Sequence, residues 1–128
     1  MRELVTALDP QSVAAIERGF AEFNSGKFFE CHDTLEEVWR GVRGPARDFL
    51  QGLIQVSVGF YHLSGGNLRG GESQLVKGLA KLSTYDDNYL GLDNGAIRNE
   101  VERWLQKVRN GEGLRATLAD LPKLRFLP

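Results

Sequence analysis

Phe28-Phe29-Glu30-Cys31-His32-Asp33-Thr34-Leu35-Glu36-Glu37-Val38-Trp39-Arg40 sets apolar, acidic and imidazole side chains within the same few residues. At about 100° per residue, with His32 as origin, Cys31, Val38, Leu35, Phe28 and Trp39 share one apolar arc that ends at His32. Glu36 and Phe29 fall just past that end, and Arg40, Asp33, Glu37, Glu30 and Thr34 fill the opposite side. The pattern predicts an amphipathic helix buried along one face. It also makes His32 and Glu36 neighbours one turn apart, flanked by Phe28, Phe29 and Trp39 rather than set among the other charges. An ionised carboxylate withdrawn from water needs a partner or a changed protonation state, and His32 is the nearest partner in sequence.

Working outward from that helix, Asn24-Ser25-Gly26 is a turn short enough to make the preceding helix an antiparallel neighbour. That first helix starts at Asp9-Pro10, an acceptor side chain followed by a preset φ, and repeats Val13, Ile16, Phe20 and Phe23 on one face. Downstream, Gly41-Val42-Arg43-Gly44-Pro45 breaks the chain and starts a third helix over residues 46–64. Its circumference is apolar nearly all round, through Phe49, Leu53, Ile54, Val56, Phe60, Tyr61 and Leu63, which places it in the middle of a bundle. Gln51, Gln55 and His62 interrupt that surface and share one sector about 40° wide with Val58. Gly65-Gly66-Asn67 ends the third helix and caps a fourth, with Leu68, Leu75, Leu79 and Leu82 inward and Gly70-Gly71 permitting a close crossing. Residues 86–93 read as a loop, and Asp93 or Asn94 caps a fifth helix with Ile97, Val101, Trp104, Leu105 and Val108 buried. The tail carries Leu118, Leu121, Leu124 and Phe126 and predicts a short helical turn against the body. Gly26-Lys27-Phe28 with Leu35 and Trp39 echoes Gly66-Asn67-Leu68 with Leu75 and Leu79, as two hairpins of one geometry would. The fold class is therefore all-α: a single domain, residues 1–128, of about five helices in antiparallel hairpins with a short C-terminal helical tail.

Composition narrows the function classes. A chain of 128 residues with 41% apolar and 26% charged side chains suits one soluble domain. Its longest mainly apolar stretch, residues 49–63, is broken by Gln51, Gln55 and His62 and is too short to span a bilayer, so no membrane role is expected. No basic-then-apolar segment opens the sequence. Cys31 is the sole cysteine, which excludes an internal disulfide and any thiolate cluster, and it reads as a small buried hydrophobe in a cytoplasmic protein. The formal net charge of −1 supplies no field for nucleic acid. Basic residues do gather between 98 and 128, but without interleaved stacking aromatics, so nucleic-acid binding is not expected either.

Glu30-Cys31-His32-Asp33 with Glu36 and Trp39, then Phe49-Leu50-Gln51-Gly52-Leu53-Ile54-Gln55, His62 and Gly66-Asn67, resembles the family named domain of unknown function 309. That family pairs a Glu-x-His-Glu/Asp-x-x-Glu-x-x-Trp helix with a Gln-Gly-x-Ile-Gln helix. The resemblance spans residues 20–82 and implies a small all-α bundle; it implies no reaction. Asp33 stands where many members carry Glu, a longer acid with a different reach.

Three readings of the polar residues remain. In the first, Glu30, His32, Glu36, Trp39, Gln51, Gln55 and His62 line a ligand pocket between the second and third helices. His32, Glu36 and His62 would then be candidate ligands for a divalent metal with a position open to water. The spacing is neither Glu-x-x-His nor His-Glu-x-x-His, and glutamines are poor ligands. In the second, the same residues satisfy one another in a buried hydrogen-bond network that fixes helix register. In the third, the hairpins form a non-catalytic scaffold for a protein partner or for a second copy of the chain.

Overall fold

Asp9 is extended (φ −71°, ψ 161°) and its carboxylate accepts from the Ser12 amide at 2.8 Å, so α1 (Pro10–Asn24) starts with its N-cap satisfied and proline in its first turn. The structure is a computed structural model that describes residues 9–112 and 122–127. Four further α-helices follow among those residues: α2 (Phe28–Gly41), α3 (Pro45–Ser64), α4 (Leu68–Leu82) and α5 (Asn94–Arg109), with a 3-10 turn at Tyr89–Gly91 before α5. No helix among the described residues is long and apolar enough to cross a membrane.

The hairpin echo has a structural cause. After α1, Gly26 takes φ 80° and the Lys27 amide donates back to the Glu22 carbonyl at 2.9 Å; after α3, Gly66 takes φ 83° and the Asn67 amide donates to the His62 carbonyl at 2.9 Å. Both are the same glycine-terminated helix stop, which reverses the chain within three residues. Each helix then packs mainly on its neighbour in sequence: α1 on α2, α2 on α3, α3 on α4 and α4 on α5. The central position falls to α3, whose Phe49, Leu50, Leu53, Val56, Phe60 and Leu63 are almost fully buried. Phe60 joins the layers, with its ring 5.7 Å from Phe23 of α1, 5.7 Å from Phe28 of α2 and 6.0 Å from Trp104 of α5.

Two expectations change and one alternative is decided. The tail is not helical over residues 122–127. It makes one antiparallel bridge, Leu92 with Phe126, stacks Phe126 on Phe20 at 5.0 Å, and is held by Asn24, whose side chain exchanges hydrogen bonds of 2.8 and 2.7 Å with the Leu124 backbone. Leu118 and Leu121 lie outside the described residues. Trp39 is half-buried rather than core. Of the two capping candidates before α5, Asp93 caps the Ala96 amide, while Asn94 is buried and donates to the carbonyls of Leu82, Tyr85 and Asp86, tying the loop shut.

Candidate functional site

Four contacts fix how α2 and α3 lie against each other. From one end of the seam to the other they are the Phe29 and Tyr61 rings at 5.3 Å, Phe28 and Phe60 at 5.7 Å, Cys31 Sγ and Ser57 Oγ at 3.3 Å, and the Arg47 guanidinium 3.8 Å above the Trp39 ring. The helices are therefore antiparallel. The α2 stripe Phe29, His32, Glu36, Trp39 faces the α3 stripe Arg47, Gln51, Gln55, Val58, His62, each side chain following the last by three or four residues. This register sets Gln55 across from the His32–Glu36 turn and Gln51 across from the Glu36–Trp39 turn.

His32 Nε2 lies 2.6 Å from Glu36 Oε2, with the two side chains 22% and 35% exposed. At that distance from a carboxylate, Nε2 carries the proton and donates it. The other nitrogen, Nδ1, is buried and makes no hydrogen bond, although Asp33 Oδ1 stands 3.5 Å away. Glu36 uses its second oxygen to face Arg40 at 3.6 Å, so its charge is answered from both sides. Behind this pair, burial pushes the Cys31 thiol up to about 12, and it stays a protonated hydrophobe beside Ser57.

The glutamines do not complete a self-satisfied network. Gln51 and Gln55 are both half-buried, and Gln55 Oε1 is buried without a hydrogen-bond partner. An unpaired buried acceptor costs about 1–3 kcal/mol. Replacing it by an apolar side chain of similar size, Gln55→Leu, should therefore raise stability by about 1 kcal/mol in a denaturant titration. A loss of that size would show instead that Oε1 is engaged in solution.

At the Tyr61 end the seam opens into a notch of about 140 Å³ lined by Phe29, His32, Val58, Tyr61 and His62. Phe29 and Tyr61 are 48% and 45% exposed, unusual for rings of that size. His62 Nδ1 sits 3.4 Å from the Asn67 side chain, whose oxygen caps the Gly70 amide, so this imidazole also braces the turn into α4. Of the residues singled out from sequence, His32 and His62 thus share the notch, and Glu36 reaches it only through His32. Gln51 and Gln55 share the seam, and Glu30 is exposed in the first turn of α2. Trp39 closes the far end of the seam under Arg47, which also donates to the Trp39 and Val42 carbonyls at 3.1 Å each. Among the described residues, no group of three or more His, Cys, Asp and Glu side chains is arranged to hold a metal ion.

Sequence reasoning passed over Phe29, Tyr61, Val58 and Arg47. Phe29 falls just outside the apolar arc of α2, and a large ring outside an arc is the one signal that could have marked it. Tyr61 lies on a helix apolar nearly all round, where nothing distinguishes an exposed ring from a packed one.

The seam lies inside the stretch that other proteins share. The model of the family described as Domain of unknown function (DUF309) matches residues 16–74, from within α1 to within α4. An uncharacterized protein of Aquifex aeolicus (strain VF5) is 29% identical over 84 residues, 65% of this chain and 25% of that protein. The chain thus spans about a quarter of the length of the curated relative it matches. With both motif helices packed face to face inside the matched stretch, residues 16–74 of this chain are similar to the family described as Domain of unknown function (DUF309).

Proposed function

We propose that this protein is a partner-binding helical module whose docking anchor is the notch between α2 and α3. One observation carries the reading: two large, half-exposed rings, Phe29 and Tyr61, stand 5.3 Å apart on the rim of a cavity of about 140 Å³. Pockets that enclose small-molecule ligands run to roughly 300–1,000 Å³. A dry cavity of roughly 150 Å³ takes one benzene-sized group. The notch therefore suits a single side chain from a partner better than a whole ligand or cofactor, and side-chain anchors of this kind dominate binding energy at interfaces. A similar stretch forming only a quarter of the Aquifex aeolicus relative also fits a module that works beside other segments. The His32–Glu36 pair holds the wall of the anchor in one rotamer, which lowers the ordering cost of docking. A buried, protonated lone thiol suits a reducing compartment, and we place the protein in the cytoplasm as part of the same reading.

The test is selection of peptides from a random displayed library on the immobilised chain, followed by binding measurements on the chain and on Phe29→Ala/Tyr61→Ala. Because both rings are half-exposed, the double variant should keep its fold while losing at least about tenfold in affinity, as for a pair of interface hot spots. Peptides that bind both proteins equally would place the anchor elsewhere.

A further inference from the structure

Away from the notch, we infer that a second copy of this chain docks on the groove between α4 and α5, each helix lying antiparallel over its own counterpart about a two-fold axis. Among the described residues, three large hydrophobic side chains are exposed: Phe29 and Tyr61, which rim the notch, and Val76, 43% exposed, which does not. Val76 stands on the wall of a groove of about 500 Å³ that has half-buried Leu79 and buried Leu105 in its lining. Arg109 pairs with Glu72 at one end and Arg98 with Asp87 beyond the other, so α4 and α5 run antiparallel. The groove shares no lining residue with the notch.

Both walls complement their own inverted copy. On α4, bulky Val76 is followed seven residues later by Ser83, whose hydroxyl donates to the Leu79 carbonyl at 2.7 Å and so folds back on its own helix, with small Ala80 between them. On α5, Glu102 is followed seven residues later, on the same face, by Arg109. The midpoints of the two pairs, residues 79–80 and 105–106, fall within about one turn of each other along the antiparallel helices. A two-fold axis across both midpoints seats each Val76 over the partner's Ala80 and the partner's Ser83, a large side chain on small ones. The same axis sets each Glu102 against the partner's Arg109, so opposite charges meet at both ends of the groove. Glu102 has no ion-pair partner among the described residues, and Arg109 spends Nε on Glu72 while staying 53% exposed. An uncharged apolar helix in the groove would leave both rim charges unanswered; an inverted copy answers both. The rim pairs fix register more than affinity, and burial of Val76 and the leucines supplies the attraction. Helices of 15 and 16 residues present a face about 24 Å by 20 Å, roughly 500 Å² per copy. That is the low end for a specific interface, so the dimer is reversible, dissociating at roughly 10–100 µM.

Sedimentation velocity of the full chain at low ionic strength, over concentrations bracketing that range, should show a monomer–dimer equilibrium. Val76→Ser, at an exposed position, should keep the fold by circular dichroism and weaken the dimer at least about tenfold, as for an interface hot spot. Glu102→Lys and Arg109→Glu should each weaken self-association by about tenfold or more, because like charges then meet at both ends of the groove. Mixed in equal amounts, these two variants should dimerise again, since opposite charges meet at both ends of the mixed pair. A chain that stays monomeric throughout overturns the inference, as does a dimer that Val76→Ser forms equally well. Charge variants that gain nothing on mixing overturn the two-fold arrangement and the inference with it. Nuclear Overhauser contacts from the Val76 methyl groups to the same chain outside α4 and α5 would show the groove filled from within, and overturn it as well.

Discussion

Phe60→Ala should cost about 3–5 kcal/mol, the usual range for truncating a buried phenylalanine to alanine, and so remove a large part of a total stability of about 5–15 kcal/mol. The ring is completely buried and touches Phe23, Phe28 and Trp104, rings contributed by α1, α2 and α5, so one truncation loosens three helix contacts at once. Little relaxation can close the resulting void, because its walls are themselves rings held by neighbours: Phe23 and Phe28 stack edge-on at 5.0 Å, and Trp104 Nε1 donates to Glu100 at 3.1 Å. The denaturant midpoint should fall with an unchanged slope, and the melting temperature should drop by roughly 10–20 °C. Phe60→Leu, which keeps most of the volume, should lose much less. A loss below about 1 kcal/mol for Phe60→Ala would mean that α1, α2 and α5 do not meet at this residue.

The contrast between that core and the notch explains which parts could be read from the amino acids. Phe20 and Phe23 on α1, and Phe49, Leu53, Val56 and Phe60 on α3, recur every three or four residues and so announce buried faces, and the starts of all five helices follow from Asp9, Gly26, Pro45, Asn67 and Asp93, each a local stop or cap. Periodicity is a property of one helix, however, and the site is a property of two. It marked His32 and Glu36 because a charge beside an apolar arc is a local anomaly. It could not say that α3 would bring Tyr61 beside His32. Trp39 misled for the same reason: its angle on α2 is a core angle, but the covering surface is Arg47, six residues beyond the end of α2 and visible only once the Gly44 turn is built. Residues 122–127, which are not helical, were illegible because of distance in sequence. Their partner Asn24 lies a hundred residues earlier, and a single amide reading the Leu124 backbone outweighs a weak helical propensity.

Gly78→Val, at a buried glycine of α4, should cost about 3 kcal/mol or more, at or beyond the upper end of overpacking costs. A Cβ at this position would stand 2.9 Å from the Gly52 carbonyl oxygen, 2.9 Å from Val56 Cγ2 and 3.2 Å from the Val56 amide nitrogen. Two of those atoms are backbone of the central helix and cannot swing away, so α4 would have to lift off α3 along the most extensive helix contact among the described residues, where Gly52, Gly59, Gly71 and Gly78 let the two helices approach. Propensity argues the other way, since a helical Gly→Ala exchange alone gains about 1 kcal/mol, which makes the sign informative. Gly78→Ala should still be destabilising, whereas Gly41→Ala, with no atom within 4 Å of its added methyl, should stabilise by up to about 1 kcal/mol. Chemical denaturation of the three variants side by side reads the difference. Gly78→Ala and Gly41→Ala moving in the same direction would show that α3 and α4 are further apart than the crossing requires, and with them the stripe of α3 that carries Gln51, Gln55 and His62 toward α2.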